Sequence, residues 1–266
     1  SLPSSLVTVV VVVVVVVSSG RSSDCSVVVV VVVDEYEYDA ERDGIEAADG
    51  VAVITFDRPA RRNALTREIL RALPTLLGDL STRATAIVIT GAHGAFSSGV
   101  DFSELGNGAQ DAHVDEEIRR VTQAIRTTPV PVLAALDGPC VGAAVEIALS
   151  CDVRLGSADS FLRIPAAELG VLYRIDAIAE LVRVAGRQVA TQLFVLGQAL
   201  DAEAALASGL LAEVTPSGFA TQRAMDIAQL AARGNPAAVS ATLAVVRAAD
   251  AGEPLEGFEH ERLALL

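Results

Sequence analysis

The sequence contains no lysine: all 20 basic residues are arginine, against 34 acidic residues, and the formal net charge is −14. Without lysine, Schiff-base aldolase chemistry, lysine-anchored pyridoxal phosphate and the Walker-type phosphate loop are excluded. The acidic balance argues against nucleic acid or an anionic membrane as the main partner, because both attract clustered basic residues.

Cysteine and histidine are also scarce, with three of each in the chain. Cys25, Cys140 and Cys151 lack zinc-ligand spacing, and the histidines at 93, 113 and 260 are dispersed, so no metal site is predicted. His93 precedes a turn discussed below and is interpreted as a solvated loop residue. An odd number of cysteines without a disulfide framework is typical of a reducing compartment, and we expect a cytoplasmic protein.

Two valine-rich runs, residues 7–17 and 27–33, dominate the N-terminus. Their β propensity predicts two strands joined by a polar connector. Each is shorter than the roughly 20 residues that a membrane-spanning helix needs, and the features of a signal peptide are missing. Residues 1–48 are therefore interpreted as a low-complexity or poorly defined segment without an assigned function.

From Gly50 onward, apolar strand-like runs alternate with segments of helical spacing. Strands are predicted at residues 51–56, 86–90, 132–136 and 153–155, and helices at 66–80, 117–126, 143–151, 201–209 and from 235 onward. Residues 106–117 are expected to form a loop. This alternation predicts an α/β fold with parallel strands under helical cover. The last residues begin a helix that stops abruptly, and we expect the C-terminus to be truncated.

Two short segments of small residues each follow a predicted buried strand. They are Phe96-Ser-Ser-Gly-Val-Asp101 and Asp137-Gly-Pro-Cys-Val-Gly-Ala-Ala-Val-Glu146. Free N–H groups where a strand turns into a helix can hold an oxyanion, and two such turns aimed at one carbonyl would form an oxyanion hole. Either segment alone favours tight helix–sheet packing as its explanation; the two in register favour the oxyanion hole.

These segments, with Asp57-Arg-Pro-Ala-Arg-Arg-Asn-Ala-Leu65, Pro131-Val-Leu-Ala-Ala-Leu-Asp-Gly138, Cys151-Asp-Val-Arg154 and Ala205-Leu-Ala-Ser-Gly-Leu-Leu211, resemble the crotonase (enoyl-CoA hydratase/isomerase) family over about residues 50–266. The resemblance implies a right-handed ββα spiral core at residues 49–215 and a helical C-terminal trimerisation region at 216–266. It also implies a trimer or a dimer of trimers. The ligand would be an acyl-CoA thioester, in which coenzyme A is part of the substrate. No metal or redox cofactor is implied.

Carried onto this chain, the family pattern makes the backbone N–H groups of Val100 and Ala143 the oxyanion donors. Glycine is usual at 143 and 144, where this chain has alanine, whose methyl groups narrow the approach to the thioester. Glu146 matches the first of two catalytic carboxylates; an isolated acid in an apolar helix favours a functional role. The alternative is a carboxylate satisfied by an arginine across the core.

The resemblance places the coenzyme A cradle at Ala60, Arg61 and Arg62 and on residues of the first turn, which are Ser98, Val100, Asp101, Phe102 and Ser103. Arg61 and Arg62 offer charge to phosphates, or they form a solvated basic turn; both interpretations stay open. Ser103 stands where the family often has a phosphate-binding lysine, which predicts weaker or differently arranged capture of the phosphates.

The second carboxylate of the family is replaced by Ala166. Glu168 is the candidate for compensation if the segment is extended, although two residues of strand displace a side chain by about 7 Å. Tyr173, Arg174 and Asp176 stand where the family has a glycine-rich loop. They either supply new chemistry or block a long acyl chain.

Three functions remain open on this reasoning. The leading hypothesis is a hydratase/isomerase-type enzyme that stabilises a thioester enolate, with Glu146 as acid and base. The second is a crotonase-fold protein that binds acyl-CoA without turnover. The third keeps the enolate chemistry but carries out decarboxylation, hydrolysis or C–C bond formation.

Overall fold

The computed structural model describes residues 29–33, 50–101 and 109–264. Its centre is a six-stranded parallel sheet. In spatial order the strands are Val29–Val33 (β1), Gly50–Phe56 (β2), Ala84–Gly91 (β3), Val132–Leu136 (β4), Val153–Ser157 (β6) and Glu213–Thr215 (β9). A smaller sheet contains Pro139–Val141 (β5), Phe161–Arg163 (β7) and Leu200–Asp201 (β8).

The helices of the described residues are Arg67–Ser81 (α1), Ala109–Thr127 (α2), Ala143–Ser150 (α3), Ile175–Ala190 (α4), Ala202–Ala207 (α5), Ala220–Ala228 (α6), Pro236–Ala251 (α7) and Glu259–Ala264 (α8). Short 3-10 turns lie at Pro59–Arg61, Ala231–Arg233 and Glu256–Phe258, and a π-helical turn at Thr191–Val195.

Helices cover both faces of the main sheet, which explains why its strands are apolar almost throughout. Along β2, Ala52, Ile54 and Phe56 join a core that contains the buried faces of α1, α2 and α3. The intervening Val51 and Val53 join a second core, against the alanines of α6. Residues 216–266 therefore include one of the two layers that bury the sheet.

Local signals in the sequence predict several helix ends correctly. Thr66 caps α1, where its hydroxyl oxygen accepts a hydrogen bond from the N–H of Ile69 at 3.3 Å. Asp201 caps α5 and Asn235 caps α7, and Gly252 ends α7 in the left-handed conformation. These ends agree with the expected preferences for caps and for proline at the first helical position.

The expected loop at residues 106–117 is wrong from Ala109 onward, because α2 begins there. Val114, Ile118, Val121 and Ile125 are buried at helical spacing, so the apolar stripe continues through the acidic stretch. The valine run at 27–33 is confirmed as a strand over Val29–Val33, which pairs in parallel with β2. Cys25 and the first valine run lie outside the described residues.

Candidate active site

The two predicted turns lie side by side. The N–H groups of Phe96 and Ser97 donate to the carbonyl of Pro139 at 3.0 and 3.1 Å, and the N–H of Val141 donates to the carbonyl of Ser97 at 3.0 Å. Ser97 and Cys140 thus form a parallel bridge between the turns. These three hydrogen bonds align the two turns with each other, an alignment that the sequence only suggested.

Glycine at position 99 permits the close approach of the turns. Gly99 has φ +88°, and a Cβ there would lie 2.7 Å from the carbonyl oxygen of Val141 and 3.5 Å from the nitrogen of Ala143. Gly142, with φ +60°, precedes the first residue of α3. The backbone at Val100 is thereby held against the N-terminus of α3.

Val100 and Ala143 both present backbone N–H groups that no described protein group accepts. Leu65 holds the neighbours of Val100, because its N–H donates to Gly99 at 2.8 Å and its carbonyl accepts from Asp101 at 2.9 Å. Ala143 opens α3, where N–H groups have no partner within the helix. Both residues line one cavity of about 210 Å³.

Glu146 lies one turn into α3, is 5% exposed and lines the same cavity. Burial raises the pKa of this carboxyl from 4.5 to about 7, although the charge of Arg174 and a hydrogen bond with Tyr173 act in the opposite direction. An acid with a pKa near neutrality can both accept and return a proton.

The sequence segment 165–174 forms the opposite wall, with Pro165, Ala166, Leu169 and Val171–Arg174 lining the cavity. The Tyr173 ring packs on Phe194 with centroids 5.1 Å apart. Nη2 of Arg174 lies 3.4 Å from Oε2 of Glu146. Arg174 is therefore the arginine that the sequence reasoning allowed as a partner for Glu146, and Glu146 at the same time faces the cavity.

The compensating position expected for Glu168 is wrong. Residues 165–171 form turns, with the N–H of Leu169 bonded to Pro165 and that of Val171 bonded to Ala166, so strand alternation does not apply. The Glu168 carboxylate is exposed and accepts two hydrogen bonds of 2.7 Å from Nη2 of Arg163. Ala166 is 4% exposed and lines the cavity, and Glu168 brings no carboxylate to it.

Asp176, which was expected to supply new chemistry or to block a long acyl chain, does not line the cavity. Its exposed carboxylate accepts from Nε and Nη2 of Arg174 at 3.2 and 3.1 Å. Asp176 thus contacts Arg174, which does line the cavity.

The expected coenzyme A cradle is a surface loop attached to the first turn. Ala60, Arg61 and Arg62 are exposed. The hydroxyl of Ser98 donates to the carbonyl of Arg61 at 3.0 Å, and the N–H of Ser98 donates to that of Arg62 at 3.0 Å. Asn63 has φ +58° and its buried amide donates to the carbonyls of Ala92 and Ala95.

Asp101, assigned above to ligand binding, is buried and ion-paired with Arg58 at 3.2 Å. This pair joins the loop to the turn. Phe102 and Ser103 lie outside the described residues. His93 is 60% exposed in its side chain and contacts Asp57, as its interpretation as a loop residue predicts.

Sequence reasoning missed the contribution of α2, whose Val114, Asp115 and Ile118 line the cavity. The helical spacing of Val114, Ile118 and Val121 was a signal for it. Over the described ranges no group of three or more His, Cys, Asp or Glu residues is arranged to hold a metal ion. In the same ranges no helix is long and apolar enough to cross a membrane.

Comparison with known proteins shows which family and fold the chain is similar to. Residues 46–262 match the model of the enoyl-CoA hydratase/isomerase family. The chain is 32% identical over 191 residues to "Probable enoyl-CoA hydratase echA6" of Mycobacterium bovis, which covers 71% of this chain and 76% of that protein. It is 28% identical to the 2,3-dehydroadipyl-CoA hydratase of Escherichia coli, over 80% of this chain and 84% of the relative.

Among solved structures, the fold is similar to an enoyl-CoA hydratase/carnithine racemase from Magnetospirillum magneticum. The TM-score is 0.74 at 29% identity, over 79% of this chain and 82% of that chain. The crotonase-type α/β fold expected from the sequence is confirmed.

Proposed function

The chain belongs to the enoyl-CoA hydratase/isomerase family, and from this premise we propose that it is an acyl-CoA enzyme that stabilises a thioester enolate. The observation that carries the proposal is the convergence of the free Val100 and Ala143 N–H groups and the Glu146 carboxyl on one cavity. Relatives named as enoyl-CoA hydratases support the class of reaction.

In the proposed mechanism, the thioester oxygen accepts hydrogen bonds from both N–H groups. Negative charge gathers on that oxygen as the enolate forms, and the hydrogen bonds from the two backbone N–H groups become stronger as this charge grows. Loss of one such donor in comparable enzymes costs about 2.7–4 kcal/mol of transition-state stabilisation.

Glu146 supplies the proton transfers in this proposal, because Ala166 stands where the family has its second catalytic carboxylate. For hydration, ionised Glu146 takes a proton from water as the hydroxide adds to the β-carbon, then returns that proton to the α-carbon. For double-bond isomerisation, it removes an α-proton and returns it at the γ-carbon. Either sequence restores the carboxylate and balances its protons.

We place the nucleotide end of coenzyme A at the loop of Ala60, Arg61 and Arg62. The exposed arginines at 61 and 62 offer bidentate donors to phosphate oxygens. The Ser98 hydrogen bonds join this loop to the turn that holds Val100, so both ends of one ligand would contact a single connected unit.

Ala166 also supports a second candidate function, an acyl-CoA-binding protein without turnover. The family reaction with two carboxylates has lost one of them here, while the thioester oxygen would keep its two donors. Decarboxylation and thioester hydrolysis are the further alternatives, since one acid–base group serves both.

The test is to incubate the purified protein with crotonyl-CoA, longer 2-enoyl-CoA and 3-enoyl-CoA, and with malonyl and aryl thioesters. Hydration or isomerisation that falls by at least about 100-fold in Glu146→Gln, but not in the matched surface variant Glu168→Gln, supports the proposal. If calorimetry shows tight binding that Glu146→Gln does not change, and no reaction occurs, the chain is instead an acyl-CoA-binding protein without turnover.

We further propose that the chain works as a homo-oligomer, a trimer or a dimer of trimers. An open groove of about 420 Å³ runs along α7 between Pro131 and an apolar row of Ala238, Val239, Leu243 and Val246. Val246 is 59% exposed, and a second copy of the chain is the occupant proposed for this groove.

A further inference from the structure

Arg174 is placed in the cavity wall at the start of α4, with its side chain 12% exposed. Its guanidinium is held by elements that are far apart in the sequence. Nη1 donates to the carbonyl of Asp115 in α2 at 3.0 Å, while Nε and Nη2 donate to the Asp176 carboxylate at 3.2 and 3.1 Å. Bidentate pairing of this kind fixes the plane of the guanidinium.

These contacts keep Arg174 close to Glu146 without a hydrogen bond. The distance from Nη2 to Oε2 is 3.4 Å, and Oε2 is buried and accepts no hydrogen bond from the described residues. At this distance the positive charge still acts on the carboxylate, while Oε2 accepts no hydrogen bond from the guanidinium.

We infer that Arg174 is a positioning residue for Glu146, and that Asp176 restrains its guanidinium from closing onto the carboxylate. This inference rests on the proposed function only in taking Glu146 as the reactive group. Without the restraint, Arg174 would donate directly to Oε2, and the carboxylate would accept a proton less readily.

Arg174 and Asp176 have opposite effects on the ionisation of Glu146. Arg174 favours the ionised carboxylate, while Asp176 and Asp115 oppose it, and Tyr173 adds a hydrogen bond from the preceding loop. Removal of Arg174 should therefore raise the pKa of Glu146. Removal of the Asp176 charge should lower it, both directly and because the released guanidinium closes onto Oε2.

The experiment titrates the Glu146 carboxyl of the substrate-free protein by infrared difference spectroscopy, with Glu146→Gln identifying its band. We expect the midpoint to rise by about one pH unit in Arg174→Met and to fall by about half a unit in Asp176→Asn. The acid limb of the kcat/KM profile should shift in the same two directions.

The Arg163–Glu168 pair supplies matched controls, because Arg163→Met and Glu168→Gln make the same charge changes in an ion pair that does not line the cavity. Opposite shifts larger than those of the controls support the inference. Shifts in one common direction, or shifts no larger than in the controls, overturn it.

Should Arg174→Met fail to fold, Asp176→Asn alone decides: a rise, or no change, in the midpoint contradicts the restraint. Because the titration uses no substrate, its result is independent of whether the protein turns over acyl-CoA. Failure of the proposed function and failure of this inference are thus seen separately.

Discussion

At the scale of single residues, the behaviour of the site depends on the ionisation of Glu146. Its carboxyl is almost fully buried, and the nearby arginine compensates only part of the cost of burying a charge. The residue can therefore exchange a proton near neutral pH. When it is ionised, the folded protein is less stable.

The pH dependence of activity follows from this ionisation. If Glu146 acts as the base, kcat/KM should rise as the pH increases through about 7, the pKa of the group in the folded protein. A pH–rate profile from about pH 5 to about pH 9 tests this. A profile that is flat through neutrality would exclude Glu146 as the titrating base.

The same group makes a prediction for folding stability. Its folded pKa of about 7 lies above the ordinary value of 4.5, so the folded protein binds more protons between these values. The stability of the neutral form is present below 4.5 and is lost as the pH rises through about 7. Relative to Glu146→Gln, the native protein should lose about 3 kcal/mol between about pH 4 and about pH 8, measured by urea unfolding.

Gly99 allows a second prediction, with Gly94 as its matched control. Both glycines have positive φ, +88° and +69°, but a Cβ at 99 would meet the Val141 carbonyl at 2.7 Å, whereas nothing lies within 4 Å at 94. Gly94→Ala should cost about 1 kcal/mol of unfolding free energy, and Gly99→Ala at least about 2 kcal/mol.

Calorimetric titration with an acyl-CoA should show weaker binding only in Gly99→Ala, because that change displaces the Val100 N–H. Equal stability losses in the two variants, together with equal affinity for the ligand, would show that the close contact between the turns is unimportant.

At the scale of elements, Asp137 explains how α6 is fixed to the second face of the sheet. It directly follows β4, and its carboxylate accepts from the N–H groups of Ala220 and Thr221 at 3.1 Å each and from the Thr221 hydroxyl at 2.9 Å. Thr90 in β3 extends the network through a contact of 2.7 Å with the Thr221 hydroxyl. The aspartate of the Asp137-Gly138 motif thus holds a helix that lies more than 80 residues later in the sequence.

Replacing Asp137 by alanine should destabilise the fold by about 2 kcal/mol, because it leaves buried donors at the start of α6 without an acceptor. Asp226→Ala, on the exposed side of the same helix, is the control and should change stability by less than about 0.5 kcal/mol. Urea unfolding of both variants measures the difference, and equal losses would contradict the assigned role.

The segment before α4 shows how the local backbone structure can make a prediction from residue spacing wrong. Spacing of two residues predicts a shared side only in a strand, and residues 165–171 instead form hydrogen-bonded turns. Glu168 consequently meets Arg163 on the surface, while Arg174 and Tyr173 reach the cavity.

At the scale of the whole molecule, α7 is rich in apolar residues, yet Ala248 is the only residue of this helix that is buried. The chain has its sheet covered on both faces without this helix, which leaves the groove along α7 available to another copy. Analytical ultracentrifugation should give a trimer or a dimer of trimers.

Val246→Asp, within the groove, should shift the assembly toward monomers, whereas Ala244→Asp, exposed on the opposite side of α7, should not. Circular dichroism should remain that of the native protein in both variants. A monomer in the native protein, or equal effects of the two variants, would contradict the proposed interface.

The sequence by itself determined most of the parallel strands of the main sheet, several helix ends and the two small-residue turns, because those features follow from local periodicity, caps and glycine conformation. It also identified Glu146 as an unusual acid. Only the tertiary structure decided that Arg174 faces Glu146, that Glu168 does not replace the missing carboxylate, and that α2 and α6 complete the cavity wall and the core. These outcomes depend on which distant segments pack together and on how far each charge is removed from water, and neither quantity is encoded in local spacing.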